Sequence, residues 1–181
     1  MTELDLVGRA RQGDLDAFTA LAGARLVAMT RTATAILGDE SEAHDAVQEA
    51  LISIWRELPA LREPERFDAW AGRILVNACR HVLKRRVRVR VREIALQPEG
   101  AGGPRLPSVA GRAESLGHED ALNRAFERLD ADQRAVLVLH HLEERPISEI
   151  AAALGIPTGT AKSRLFTARR ALQRALEREW R

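Results

Sequence analysis

A chain of 181 residues, 45% of them apolar, can bury one large or two small hydrophobic cores, which excludes an intrinsically disordered protein. A single cysteine, Cys79, excludes an intramolecular disulfide framework and fits a reducing compartment. The 28 Lys and Arg nearly balance the 26 Asp and Glu at a formal charge of +2, but the charges are segregated. Residues 39–49 carry five acids and no Lys or Arg, and residues 80–92 carry seven Lys or Arg and no acid, so two partners are expected, one basic and one polyanionic. The acidic start M-T-E-L-D-L is unlike a secretory leader and no apolar run has the length of a membrane span, so the protein is expected to be cytoplasmic, without membrane insertion.

Residues 2–37 read as two helices. Leu4, Leu6, Val7 and Ala10 line the first, Gly13 interrupts, and Phe18, Leu21, Ala22, Met29, Ala33, Ile36 and Leu37 keep helical spacing up to Gly38. A third helix starts near Asp39 or Ser41 and runs to Leu58, with Ala43, Val47, Ala50, Leu51, Ile54 and Leu58 as its buried stripe. Asp45, Gln48 and Glu49 fall at i, i+3, i+4 on another face with Ile52 one turn on, a polar patch with one apolar neighbour that suits partner docking as well as plain solvation. Pro59 and Pro64 bracket a loop, after which Phe67 and Trp70 open a fourth helix. Its inward stripe is Trp70, Ile74, Ala78 and Val82. Arg73, Asn77, Arg80 and Lys84 form the opposite stripe, three cations and an amide suited to phosphate and base contacts or to a solvated face. The alternation V-R-V-R-V-R at 87–92 lacks a partner strand and is read as the basic end of this helix.

Residues 93–118 contain three prolines and five glycines and read as a flexible linker. Two further helices follow, Glu119 to Leu129 and Asp130 to Leu142, the second opening on an Asp130/Gln133 capping box with Ala135 to Leu139 buried on all sides. Ile147, Ile150, Ala151 and Leu154 then share one face of a short helix with Ser148 as its N-cap. Gly155 and Pro157 break it, Thr158 caps a second helix, and Ala161, Leu165, Ala168 and Leu172 form a narrow apolar seam. Thr160, Lys162, Ser163, Arg164, Phe166, Thr167, Arg169 and Arg170 are left for the other faces, and residues 158–174 contain no acid. Two short helices about a tight turn, the second basic and hydroxyl-bearing, form a helix-turn-helix whose recognition helix fits the DNA major groove. The fold class is therefore all-α: two small helical domains, 1–92 and 119–181, joined by the 93–118 linker, the C-terminal one a helix-turn-helix.

The acidic D-A-V-Q-E of Asp45 to Glu49 with Trp55, the helix F-D-A-W-A-G-R-I-L-V-N-A-C-R-H-V-L-K-R-R of Phe67 to Arg86, the linker and the terminal G-T-A-K-S-R-L-F-T-A-R-R-A-L together resemble the sigma-70 family of bacterial transcription initiation factors, in its two-domain extracytoplasmic-function group. The resemblance implies that Asp45, Gln48, Glu49 and Ile52 bind core RNA polymerase. It implies that Arg62, Glu63, Arg73, Asn77, Arg80 and Lys84 meet the −10 promoter element as a single strand, and that Thr160, Lys162, Ser163, Arg164, Phe166 and Arg169 meet the −35 element as a duplex. An anti-sigma partner is implied as well. The 26-residue linker reaches roughly 85 Å when extended, enough for the about 50 to 55 Å that one and a half DNA turns require. The chain departs from the family pattern at Ala71, Gly72 and His81.

A helix-turn-helix regulator without polymerase binding is the competing reading, against which stand the acidic docking helix and the basic, Asn-containing stripe of the first half. Enzyme chemistry is not expected. Cys79 and His81 lack metal spacing, His140-His141-Leu142-Glu143 is not H-E-x-x-H, and no glycine-rich phosphate loop follows a strand, so no catalytic residue, metal or cofactor is assigned.

Overall fold

The computed structural model describes residues 2–96 and 116–179. Local capping sets the helix starts. Helix α1 (Glu3–Arg11) begins with a Thr2/Asp5 capping box, α2 (Leu15–Leu37) with the Asp14 carboxylate accepting the Ala17 N–H at 3.0 Å, and α3 (Glu40–Glu57) with Asp39 accepting that of Glu42 at 2.8 Å. Two 3-10 turns, Leu58–Ala60 and Pro64–Arg66, lead into α4 (Phe67–Leu96). Beyond the linker come α5 (Leu116–Glu127), α6 (Ala131–His141), α7 (Ile147–Leu154) and α8 (Thr158–Glu179). Gly38 and Gly155 close α2 and α7 at φ 69° and 65°, left-handed values that a side chain would strain.

The expected elements are present with shifted ends. Helix α4 runs to Leu96 and α5 starts at Leu116, so both ends of the expected linker are helical, and its remainder, 97–115, lies outside the described residues. Ser148 does not cap α7. Pro146 precedes the first helical residue, its φ of −64° already suited to that place, and its carbonyl accepts from Glu149 and Ile150 at 3.0 and 3.1 Å. Thr158 is likewise the first residue of α8 rather than its cap.

Alanines make the α3 packing close: Ala43, Ala46 and Ala50 are fully buried beside Val47 and Ile54. The Phe18 and Trp55 rings meet 4.9 Å apart and tie α2 to α3. Helix α4 buries more than the single stripe expected. Ala78 and Val82 are buried and Trp70 and Ile74 only partly so, but Ala71, Leu75, Val76, Cys79 and Leu83 are buried as well. The reason is that α2 and α3 pack on one side of α4, while α6 and α7 pack on another. Burial pushes the Cys79 thiol up to about 12, so it is a small core hydrophobe rather than a nucleophile.

Arginines finish the helix ends. The carbonyl of Ile36 accepts from Arg134 at 3.4 Å and that of Leu37 from Arg86 at 2.9 Å, so α6 and α4 both satisfy the C-terminal carbonyls of α2. Arg134 is buried, and its burial, with Arg86 nearby, lowers its pKa. Helices α5 and α8 are joined by Glu179, which accepts from Arg124 at 2.6 Å and Arg128 at 2.5 Å. The hydrogen bond from Arg124, seconded by that from Arg128, holds the Glu179 carboxyl below its ordinary value. A depressed folded pKa contributes stability above the unfolded value, about 4.3, and loses it as pH falls through the folded value. Glu179→Gln should therefore melt below wild type at neutral pH, the two curves converging in acid, as read by thermal unfolding across a pH series.

Candidate nucleic-acid interface

Three exposed surfaces carry the residues singled out from the sequence. On α3, Asp45, Gln48, Glu49 and Ile52 are all exposed, because spacings of three and four keep them on one stripe while Ala46, Val47 and Ala50 turn inward. Ile52 is 59% exposed although it is a large aliphatic side chain set among carboxylates. An acidic stripe with one exposed apolar residue can make charge-assisted contacts to a basic surface and bury one side chain at their centre.

The second surface joins the 61–66 loop to α4. Arg62 and Glu63 are exposed between the two 3-10 turns, and Glu63 pairs with Arg66 at 2.7 Å. Beside them Arg25 lies 5.0 Å over the Phe67 ring while pairing with Glu3 and Asp68, which fixes the start of α4. Along α4, Arg73 and Lys84 are exposed, and Asn77, half-buried, accepts from Arg80 at 3.3 Å. Arg80 is not a solvated cation. It pairs with Asp132 of α6 at 2.7 Å, and Arg73 lies against Gly155 of the helix-turn-helix, so the C-terminal half covers part of this stripe.

The third surface is α8. Thr160, Lys162, Ser163, Phe166 and Arg169 are exposed while Ala161, Leu165 and Ala168 are buried and Leu172 partly so, matching the expected seam. The Ser163 hydroxyl donates to the Thr160 carbonyl at 3.0 Å, and Arg170 lies 5.8 Å over the 62%-exposed Phe166 ring. Arg164 turns back to Asp132 at 2.8 Å. Arg169 donates to Nε2 of His141 at 3.3 Å, and burial with His140 and Arg169 lowers the His141 pKa, which keeps that nitrogen an acceptor.

The sequence reading missed the residues between α6 and α7 that face the first half. Glu143, in the turn where Glu144 adopts φ 51°, accepts from Thr32 at 2.9 Å and Arg31 at 3.2 Å. It also missed Leu26 and Val27, 45% and 81% exposed on α2, which with Leu142 line an open apolar cleft. Two consecutive aliphatic residues off the α2 stripe were the only available signal for the cleft; none marked Glu143.

Comparison with known proteins bears on both halves. Residues 23–89 match the family model of sigma-70 region 2 and residues 119–172 that of sigma-70 region 4. The chain is 30% identical over 175 residues to the ECF RNA polymerase sigma factor SigM of Mycobacterium tuberculosis, covering 97% of this chain and 85% of that relative. It is 29% identical to the ECF RNA polymerase sigma-E factor of Escherichia coli, covering 98% and 95%. Among solved structures it is similar to the sigma factor RpoE bound to the anti-sigma factor NepR from Bartonella quintana, at 26% identity and a TM-score of 0.64 over 90% of this chain and 98% of that one. It is also similar to CnrH in complex with the cytosolic domain of CnrY, at 25% identity and a TM-score of 0.65 over 97% of both chains.

The two isoleucines of α3 should behave oppositely. Ile54→Ala, at a buried position, should cost about 2–5 kcal/mol, whereas Ile52→Ala should change stability by about 0.5 kcal/mol or less. Urea unfolding of both variants measures the contrast.

Proposed function

The chain belongs to the sigma-70 family, in its extracytoplasmic-function group, and on that premise we propose how its surfaces divide the work of a factor that binds bacterial core RNA polymerase and directs promoter-specific initiation. Asp45, Gln48, Glu49 and Ile52 dock on a basic coiled coil of the polymerase largest subunit. The observation that carries this is the exposure of all four on one stripe of a helix whose other stripe is core. Arg62, Glu63, Arg73, Asn77, Arg80 and Lys84 meet the −10 element as an opened strand, where cations track the backbone and an amide can read a base edge. Thr160, Lys162, Ser163, Arg164, Phe166 and Arg169 meet the −35 element in the major groove, with Phe166 suited to a thymine methyl. The corresponding modules are 1–92 and 119–181 with 93–118 as tether. An anti-sigma protein of the kind bound to RpoE is the regulatory partner, and the site of action is the cytosol; among the described residues no helix is long and apolar enough to cross a membrane. A regulator that does not bind polymerase leaves the match of residues 23–89 without a role.

Asp45→Ala with Gln48→Ala should weaken core binding roughly tenfold, about 1.4 kcal/mol, with the circular dichroism spectrum unchanged. Undiminished affinity in a pull-down with core polymerase would remove the docking assignment.

Strand opening and duplex binding should fail separately. Asn77→Ala with Lys84→Ala should reduce permanganate reactivity of promoter thymines while holoenzyme still shifts duplex promoter DNA. Lys162→Ala with Ser163→Ala should weaken the shift itself. If the α4 double variant opens promoters as wild type does, the α4 stripe is a solvated face.

A further inference from the structure

We propose that Arg170, which lies outside the −35-reading set assigned above, belongs to it: Arg170 holds the Phe166 ring against the methyl group of one thymine and binds the phosphate beside that base. The inference rests on the reading of α8 as the duplex-facing helix. Successive residues of a helix turn by roughly 100°, so the buried Ala161, Leu165 and Ala168 fix the side of α8 that faces inward. Ser163, Phe166 and Arg170, at i, i+3 and i+7, fall on the opposite side, and all three are exposed. The two neighbouring arginines therefore part ways. Arg169 leans to α6, where it donates to His141 and lines a groove with Leu137 and Leu172, whereas Arg170 lies 5.8 Å over the Phe166 ring.

A ring that is 62% exposed has several orientations open to it, and a cation over one face selects among them before any DNA arrives. The edge and the second face of the ring stay free for a base. Of the DNA bases only thymine presents a methyl group in the major groove, and a phenylalanine recognises it by apolar contact alone. Stacking engages the flat face of a guanidinium and leaves its N–H edge for a phosphate oxygen, a combination that arginine permits because its charge is spread over a plane. Arg170 can thus hold the ring and bind the backbone at once. The backbone contact pins the methyl contact to one register along the groove.

The test uses holoenzyme formed from the full-length chain and core polymerase. A randomised duplex pool is selected with wild-type holoenzyme, and each thymine of the enriched upstream element is then replaced in turn by deoxyuridine, which removes only the methyl group. Wild type should bind about fourfold more weakly when the methyl is lost at one position, the worth of one buried methyl group. In Arg170→Ala and in Phe166→Ala that ratio should fall to near one; both positions are exposed, so the core is untouched and the circular dichroism spectrum should not change. Arg170→Ala should also lower the salt dependence of binding by about one counterion. Arg178→Ala, which removes an exposed cation farther along α8, should keep the wild-type ratio. A wild-type ratio in Arg170→Ala overturns the positioning of Phe166, and an unchanged salt slope overturns the phosphate contact. If no thymine of the enriched element responds to loss of its methyl, the proposal fails while α8 keeps its duplex role. If no upstream element is enriched at all, the reading of α8 fails first and the proposal with it.

Discussion

Everything in this fold depends on α4 having two buried sides. A helix that packs on one neighbour needs a single apolar stripe, but α4 buries Leu75, Val76, Cys79 and Leu83 in addition to Ala78 and Val82 because α2 and α3 lie on one side and α6 and α7 on another. The polar residues of α4 are thereby squeezed into what remains. Asn77 and Arg80 must sit, half-buried, at the margin of a helix–helix contact, with the exposed Arg73 at its edge against Gly155, and whatever covers that margin also covers them. The position of the cationic stripe is a consequence of core packing before it is a matter of DNA.

Apolar burial and polar contacts divide the cohesion between the halves unequally. Residues such as Leu139, Ile150 and Leu154 belong to one continuous core with Ile36 and Val76, so the contact has a hydrophobic component that is insensitive to salt. Over it lie the charged contacts of Asp132 and Glu143, individually worth little at their exposure but directional. Such pairs fix which residues face each other more than they fix how tightly the halves adhere. They are also the first to respond to ionic strength or to a competing polyanion.

Most of the helices were legible in the sequence because their signals are local. Asp39, Asp130 with Gln133, Gly38 and Gly155 each mark a helix end through bonds spanning three or four residues, and period-3.6 stripes place Ala43 to Ile54 and Ala161 to Ala168 correctly. Errors at Ser148 and Thr158 came from preferring a side-chain cap where a proline already supplies the backbone conformation and the accepting carbonyl. The second buried side of α4 was illegible because an apolar residue such as Val76 reads the same whether it fills the near core or a distant helix covers it. Asp132 was illegible for the opposite reason: an acid just inside a capping box already has a local explanation in the helix dipole, and nothing local reveals that Arg80 and Arg164 converge on it.

The arginines sort by what holds them. Arg134 donates to the Ile36 carbonyl at the end of α2, an acceptor that an incoming anion does not replace, and removing this buried arginine would leave the carbonyl unsatisfied at a cost of about 1–3 kcal/mol. It is structural. Arg86 is held both ways, donating to the Leu37 carbonyl and pairing with the Glu42 carboxylate of α3. Arg80 and Arg164 are held by a carboxylate, for which a DNA phosphate is a direct chemical substitute, so their partner can change without loss of a hydrogen-bond acceptor. Lys162 is exposed and Arg169 is held only by the His141 ring, so neither has to give up a carboxylate before it meets an anion. On the assignment of α8 proposed above, association with duplex DNA has a physical order: the exposed cations of α8 make the first, salt-sensitive contacts, and Arg164 follows once phosphate outcompetes the Asp132 carboxylate.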